Sequence, residues 1–157
     1  MGSSRLRRAA AAIAILTLVP SRSSEAVLPV DVIPLAELGF GQIFSTSTSG
    51  TVTISPAGAR TKSGGVVLGS GFGVSQARFT VAGDAQMSYS ITLPGPITLS
   101  AGGRSMTVDG FISTPAGSGN LGTTGTQLMS VGATLHVGAG QVSAAYSGSL
   151  PLTVAYN

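Results

Sequence analysis

The sequence contains no cysteine and no tryptophan among its 157 residues, and only 8% of them are charged. Without cysteine there can be no disulfide framework, no thiolate metal site and no cysteine nucleophile. Only four carboxylates follow residue 26, which is too sparse a set of oxygen ligands for a typical calcium site. We therefore expect no metal and no cofactor.

The chain after residue 26 carries too little positive charge for nucleic-acid binding. The net charge is +3, but half of the eight basic side chains precede residue 26: Arg5, Arg7, Arg8 and Arg22. The later ones are balanced by an equal number of carboxylates: Arg60, Lys62, Arg78 and Arg104 against Asp31, Glu37, Asp84 and Asp109. Because binding to a phosphate backbone requires clustered cations, we expect no nucleic-acid partner.

The first 26 residues have the composition of a cleavable export signal. Early arginines precede an apolar stretch over residues 9–19, which as a helix would span only about half of a bilayer core. Pro20 ends that helix, and small residues precede a cut after Ala26. We predict a signal peptide over residues 1–26, a mature chain over 27–157, and no stable membrane span once the leader is removed.

Alternation of apolar and polar residues with period two dominates the chain after the leader. It is clearest over residues 146–157, where every second residue is apolar or small: Tyr146, Gly148, Leu150, Leu152, Val154 and Tyr156. The pattern recurs over 127–137, 86–93 and 77–81. Pro151 has no N–H group to donate to a ladder, so the final strand is predicted to lie at a sheet edge or to carry a bulge.

Glycine and proline clusters interrupt these segments at short intervals and predict tight turns between strands. Their spacing suits seven to nine short strands, each with one apolar face that a second sheet must cover. No segment after residue 26 has helical periodicity over three turns. The prediction is an all-β fold, a single immunoglobulin-like antiparallel β-sandwich over residues 27–157, with a small β-barrel as the competing architecture.

Eight short runs of sequence carry a family resemblance: residues 38–43, 50–54, 79–83, 89–94, 106–108, 131–135, 146–148 and 154–157. Together they resemble an uncharacterised domain family of secreted bacterial proteins, domain of unknown function 4402. In outline the chain is also similar to spore-coat-protein-U-like and chaperone–usher pilin domains, which share the leader, the size and an alternating C-terminal strand that ends in an aromatic residue. The resemblance implies an immunoglobulin-like fold, secretion to the cell surface or periplasm of a Gram-negative bacterium, and a periplasmic chaperone as a candidate partner.

The only histidine offers little support for catalysis. His136 falls on the polar side of residues 127–137 and is expected to face solvent. A Ser–His–Asp triad would require Asp31, Asp84 or Asp109 to approach it through tertiary folding, and no Gly-x-Ser-x-Gly motif is present. We predict no catalytic residue and a protein that is not an enzyme.

Two functional hypotheses remain. The first is a structural or adhesive cell-surface protein, including a fimbria-like filament subunit, which joins copies or homologous subunits through strand edges. Leu28, Val30 and Val32 share one side of residues 27–33 and form a candidate strand-donation segment, although the favoured alternative is that they begin the domain's own sheet. The second is a monomeric extracellular or periplasmic module that binds a glycan or small ligand, with Phe72 as the candidate exposed contact.

Overall fold

The structure is a computed structural model that describes residues 27–70 and 73–157. The predicted signal peptide, residues 1–26, and Phe72 lie outside the described residues. Within the described ranges the chain forms strands and no helix, so no helix there is long and apolar enough to cross a membrane. The predicted all-β class is confirmed.

The strands, in chain order, are β1 (Asp31–Ala36), β2 (Gly39–Phe40), β3 (Ile43–Ile54), β4 (Arg60–Leu68), β5 (Val74–Ser75), β6 (Ala77–Ala82), β7 (Ser88–Thr92), β8 (Ile97–Ala101), β9 (Arg104–Thr114), β10 (Ser118–Asn120), β11 (Thr126–Val137) and β12 (Thr153–Tyr156). All their pairings are antiparallel. They outnumber the seven to nine strands expected, because β2, β5 and β10 contain only two or three residues. Strands of that length are too short to produce a recognisable alternation.

The main sheet is organised around β11. Its residues 126–131 pair with β6, and its residues 133–137 pair with β3. Along its other edge, residues 130–136 pair with β9. The sheet therefore runs from β1 through β6, β11 and β3 to β4, with β9 and β8 branching from β11. This branching curls the sheet, and the architecture combines features of the predicted sandwich and of the barrel alternative.

A second sheet, in the order β10-β7-β12, covers one half of the main sheet. The side chains buried there form the closed core: Ala77, Val81, Tyr89, Ile91, Leu121, Met129 and Val131. The other half of the main sheet supplies most of a separate cluster, the open core: Phe40, Val52, Ile54, Val66, Val108, Ala133, Leu135 and Val137. Of the residues that the structure describes, only the short β2-β5 sheet and an irregular segment near the C-terminus lie over the open core.

The C-terminal strand is shorter than the alternation predicts. Its ladder with β7 covers only Thr153–Tyr156, whereas residues 146–152 contribute one isolated bridge, from Ser147 to Ser100. Pro151, which cannot donate to a ladder, lies two residues before the strand begins. Because β12 pairs with β7 alone, it lies at a sheet edge, which is one of the two alternatives predicted from this proline.

The N-terminal segment lies within the main sheet of its own chain. Strand β1 pairs with β6, and Val30 and Val32 pack against the closed core. Leu28 remains 60% exposed. In the isolated chain, these residues therefore begin the domain's own sheet, which was the alternative to strand donation. Donation of the segment to a neighbouring copy stays a prediction.

Candidate functional site

A half-open groove of about 1020 Å³ borders the open core. Its size is at the upper end of the range typical of ligand pockets, about 300–1,000 Å³. One wall consists of aliphatic side chains from three neighbouring strands: Ile97 and Leu99 of β8, Met106 and Val108 of β9, and Leu135 and Val137 of β11. We call this feature the apolar groove.

The β8-β9 hairpin fixes the register of this wall. Gly102 and Gly103 form its two-residue turn with φ values of 53° and 81°, a conformation that glycine adopts without steric cost. The turn places Leu99 directly opposite Met106. Since side chains alternate across a sheet, these two face the groove while their neighbours point to the outer surface.

Arg60 supports the opposite rim. Its guanidinium donates hydrogen bonds to the carbonyl oxygen of Gly69, at 3.1 Å, and to that of Gln42, at 2.5 Å. Burial lowers the pKa of this side chain below its ordinary value. The two bonds hold the backbone of Gln42, which lines the groove, against the beginning of β4.

Residues 141–150, which we call the strap, form much of the remaining wall. The Gln141 amide nitrogen donates to the Tyr146 hydroxyl at 2.8 Å, and that hydroxyl donates to the carbonyl oxygen of Val142 at 2.9 Å. Ser147 and Ser100 exchange two backbone hydrogen bonds, of 2.8 and 3.1 Å. The strap is thus fastened by a few contacts and does not form a continuous ladder.

The groove carries little charge. Among the described residues that line it, Glu37 is the single ionisable residue apart from Tyr146. The other polar groups are serine hydroxyls and the amides of Gln42 and Gln141. Such a surface favours an uncharged, largely apolar occupant, because a buried anion would find no cation here.

Among the described strands, the outer edge of β8 lacks the charge or proline that protects other edges, and it is bridged only to Ser147 of the strap. Natural edges are commonly blunted by charge or proline, and β4 carries Arg60 and Lys62 while β1 carries Asp31 and Pro34. The edge strands β10 and β12 have only three and four residues. Strand β8 has five uncharged residues and its inner face borders the groove.

His136 lies on the outer face of the main sheet, as the sequence predicts, and has an acidic partner there. Its Nε2 atom is 2.8 Å from Oδ1 of Asp109, and the two side chains are 48% and 39% exposed. The antiparallel ladder of β9 and β11 brings them together diagonally. Asp31 instead accepts a hydrogen bond from the amide of Val32. No hydroxyl of the described residues hydrogen-bonds to the His136 ring, so the pair lacks a positioned nucleophile.

Tyr156, near the C-terminus, hydrogen-bonds to the N-terminal end of the described chain. Its hydroxyl accepts a hydrogen bond from the amide of Asp84 at 2.7 Å and donates one to the carbonyl oxygen of Leu28 at 2.9 Å. The Asp84 carboxylate accepts a bond from the Leu28 amide at 3.0 Å. We call these three bonds the terminal clasp. Sequence reasoning singled out Tyr156 as the aromatic end of a strand, but no local signal predicts this contact.

The six alternating C-terminal residues serve two regions of the molecule. Tyr146, Gly148 and Leu150 line the apolar groove, whereas the inward residues from Leu150 onward pack against the closed core: Leu150, Leu152, Val154 and Tyr156. The groove wall on β8 and β9 was not predicted from the sequence. Alternation around the Gly-Gly turn would indicate the hairpin, but no local pattern indicates that its apolar face stays uncovered.

Comparison with known proteins identifies a family without assigning an activity. The model of a family described as a domain of unknown function, DUF4402, matches residues 30–156. No curated protein and no solved structure matches the chain. Among the described residues, no three His, Asp or Glu side chains cluster in a way that would hold a metal ion. The matched range includes the apolar groove, the strap and the outer edge of β8.

Proposed function

This chain belongs to the DUF4402 family of domains of unknown function, and we propose that it acts as an exported, non-catalytic structural or adhesive surface protein. Copies join by strand addition, in which an extended segment of one copy pairs with β8 of the next and places its apolar side chains in the groove. Repetition of this contact gives a fimbria-like filament.

The observation that supports the proposal is the position of an uncharged edge, bridged at a single residue, beside a half-open apolar groove. Backbone groups at the edge of a sheet form hydrogen bonds with an added strand, and pockets for alternate side chains give such binding its specificity. The backbone groups of Thr98 and Ser100 point toward the outer edge of β8, where Ser100 is bonded to Ser147 in the isolated chain, and Leu99 points into the groove. Strand β8 therefore offers both once Ser147 is displaced. An incoming strand would thereby cover side chains that the second sheet leaves uncovered.

Residues 27–33 of a neighbouring copy are the candidate donor. Leu28, Val30 and Val32 alternate along it, as an inserted strand requires. Val27 and Leu28 are the most exposed large hydrophobic residues of the described chain, at 62% and 60%. Donation requires the terminal clasp to open and β1 to leave β6, and exchange of a terminal element between copies is a common route to assembly.

Export and the lack of catalysis are parts of the same proposal. The N-terminal 26 residues have the charge and apolar pattern of a signal peptide. The pairing of His136 with Asp109 supplies a base without a bound hydroxyl nucleophile. A filament subunit needs neither a nucleophile nor a cofactor, since its product is the assembled surface.

The test uses adjacent positions of β9 whose side chains point to opposite faces. Met106→Gln places an amide in the groove, whereas Thr107→Gln makes the same replacement on the outer surface. The full chain is expressed in a Gram-negative host, and the exported protein is examined by negative-stain electron microscopy and sedimentation velocity. We expect filaments or concentration-dependent oligomers from the wild type and Thr107→Gln, but not from Met106→Gln.

Unfolding midpoints of the three proteins serve as the folding control. Wild-type protein that remains monomeric at every concentration would contradict strand addition. Equal assembly of Met106→Gln and Thr107→Gln, with all three proteins folded, would exclude the groove as the acceptor.

The volume of the groove favours a second candidate, a monomeric binding module for a small ligand. Its aliphatic wall suits an apolar ligand, and Phe44, which is 51% exposed, also lines the groove and offers an aromatic face to a glycan. Fluorescence of N-phenyl-1-naphthylamine distinguishes this function. A strictly monomeric wild type whose binding of this probe is lost in Met106→Gln and retained in Thr107→Gln would support the second candidate over the first.

A further inference from the structure

The strap occupies the one stretch of β8 to which another strand could pair. Backbone groups of successive residues in a strand point to opposite sides, and Ser100 already directs its N–H and C=O toward Ser147. On this alternation, Thr98 is the other residue of β8 that points the same way. A Cβ atom on Gly148 would lie 2.7 Å from the Thr98 carbonyl oxygen, so the strap backbone also covers this position.

The side chains of the strap resemble those of an inserted strand. Tyr146 and Leu150 are half-buried and line the groove, while Ser147 and Ser149 between them are exposed. The sequence alternates throughout residues 146–152, yet only Ser147 pairs with β8. The strap therefore has the pattern of a strand that is attached to its neighbour at a single point.

Few bonds hold the strap in place. None of the backbone N–H groups of residues 142–146 donates to a backbone group of the described residues, and residues 142–145 are exposed. Its first end is fastened by the Ser45 hydroxyl, which donates to the Gln141 carbonyl at 2.8 Å. Segments with exposed backbone and few buried contacts open at low free-energy cost. The strap is thus weakly held at the position that strand addition would use.

From these observations we infer that the strap is a built-in competitor of the incoming strand. In an isolated copy it pairs with Ser100 and forms one wall of the groove, and a segment from another copy must displace Ser147 before it adds to β8. This inference rests on the proposed strand addition and states how that addition is regulated. Displacement of the strap delays assembly until a neighbouring segment is present at sufficient concentration.

A disulfide that locks the strap tests the inference, and the absence of cysteine from the chain makes the result unambiguous. The double substitution Ser100→Cys and Ser147→Cys joins two residues that already face each other across the bridge. The control pair Thr51→Cys and Ser63→Cys crosslinks the facing positions of β3 and β4, away from the strap. Filament growth is followed by light scattering and electron microscopy, before and after addition of a reductant.

We expect the oxidised Ser100→Cys/Ser147→Cys protein to remain monomeric and to assemble once it is reduced, while the control pair assembles in both states. Tyr146→Phe removes both hydrogen bonds of that hydroxyl and should accelerate assembly by about tenfold, equivalent to about 1.4 kcal/mol. Equal growth of the oxidised and reduced locked protein overturns the inference and leaves strand addition intact. If the wild type and Tyr146→Phe both stay monomeric, strand addition itself is wrong, and the strap competes with nothing.

Discussion

The closed core and the open core lie at opposite ends of the same strand, β11, and differ in how they are covered. In the closed core, Tyr89, Leu121 and Met129 have no exposed surface. Leu99 and Met106 beside the open core are only half-buried, because they face the groove. Both clusters contain fully buried side chains, so they differ in their border: most of the apolar side chains that line the groove belong to the open core. Under the proposed function, that border is the surface to which another strand would bind.

The closed core is covered both by packing of apolar side chains and by hydrogen bonds. The Tyr89 hydroxyl donates to Oε1 of Gln127 at 2.8 Å, and the same oxygen accepts a bond from the Asn120 amide at 3.0 Å. A Cβ atom on Gly119 would collide with the side chains of Gln127 and Tyr89. Only glycine allows this close approach of β10. The strap over the other half has a network around Gln141 and Tyr146 but no continuous ladder.

A matched pair of leucine truncations tests this difference most severely. Leu121→Ala should reduce the free energy of unfolding by about 2–5 kcal/mol, since it creates a cavity in a fully packed core. Leu99→Ala should cost less than about 1.5 kcal/mol, because Leu99 already borders an open space. Equilibrium denaturation in urea measures both. Equal losses would mean that the groove is filled in solution, and the distinction between the two halves would fail.

Removal of one tyrosine hydroxyl from each half should change the free energy of unfolding less than the leucine truncations do. Tyr156→Phe breaks the terminal clasp and should reduce the free energy of unfolding by about 1–2 kcal/mol, because it leaves the Leu28 carbonyl and the Asp84 amide without this partner. Tyr146→Phe should leave global stability within about 0.5 kcal/mol, since the strap opens locally. Hydrogen exchange should instead become faster in residues 138–147. A global loss for Tyr146→Phe as large as that for Tyr156→Phe would show that the strap is an integral part of the fold.

The smallest expected effect concerns alkaline pH. Burial raises the pKa of Tyr89 in the folded protein, whereas the unfolded chain ionises this group near pH 10. Above about pH 10 the unfolded state therefore binds fewer protons than the folded state, and stability falls as pH rises. Below that pH both states keep the proton and Tyr89 contributes no slope. Urea denaturation between pH 9 and pH 11 should show a weaker decline for Tyr89→Phe, and an unchanged decline would exclude Tyr89 as its source.

Sequence periodicity predicted the strands that face a continuous neighbouring layer. In β11 the residues Met129, Val131 and Leu135 are buried and His136 is exposed, as the alternation indicates. The edge position of β12 is one of the two alternatives that Pro151 predicted, the other being a bulge. The same alternation failed to mark where β12 begins, since residues 146–152 have the side-chain pattern of a strand without its hydrogen bonds. The alternation of residue types shows which side chains are apolar. Backbone pairing depends in addition on whether another strand lies close enough to form hydrogen bonds.

By itself, the sequence determined the all-β class, the inward faces of the long strands and the scarcity of groups for catalysis, because these depend on residue type and on a local period of two. Only the tertiary structure decided that Asp109 meets His136, that Tyr156 fastens Leu28, and that the second sheet stops halfway across the main sheet. All three depend on residues that are far apart in the chain. Whether such residues meet is decided by the packing of the whole domain, which a local sequence pattern does not record. The apolar groove arises from that incomplete cover.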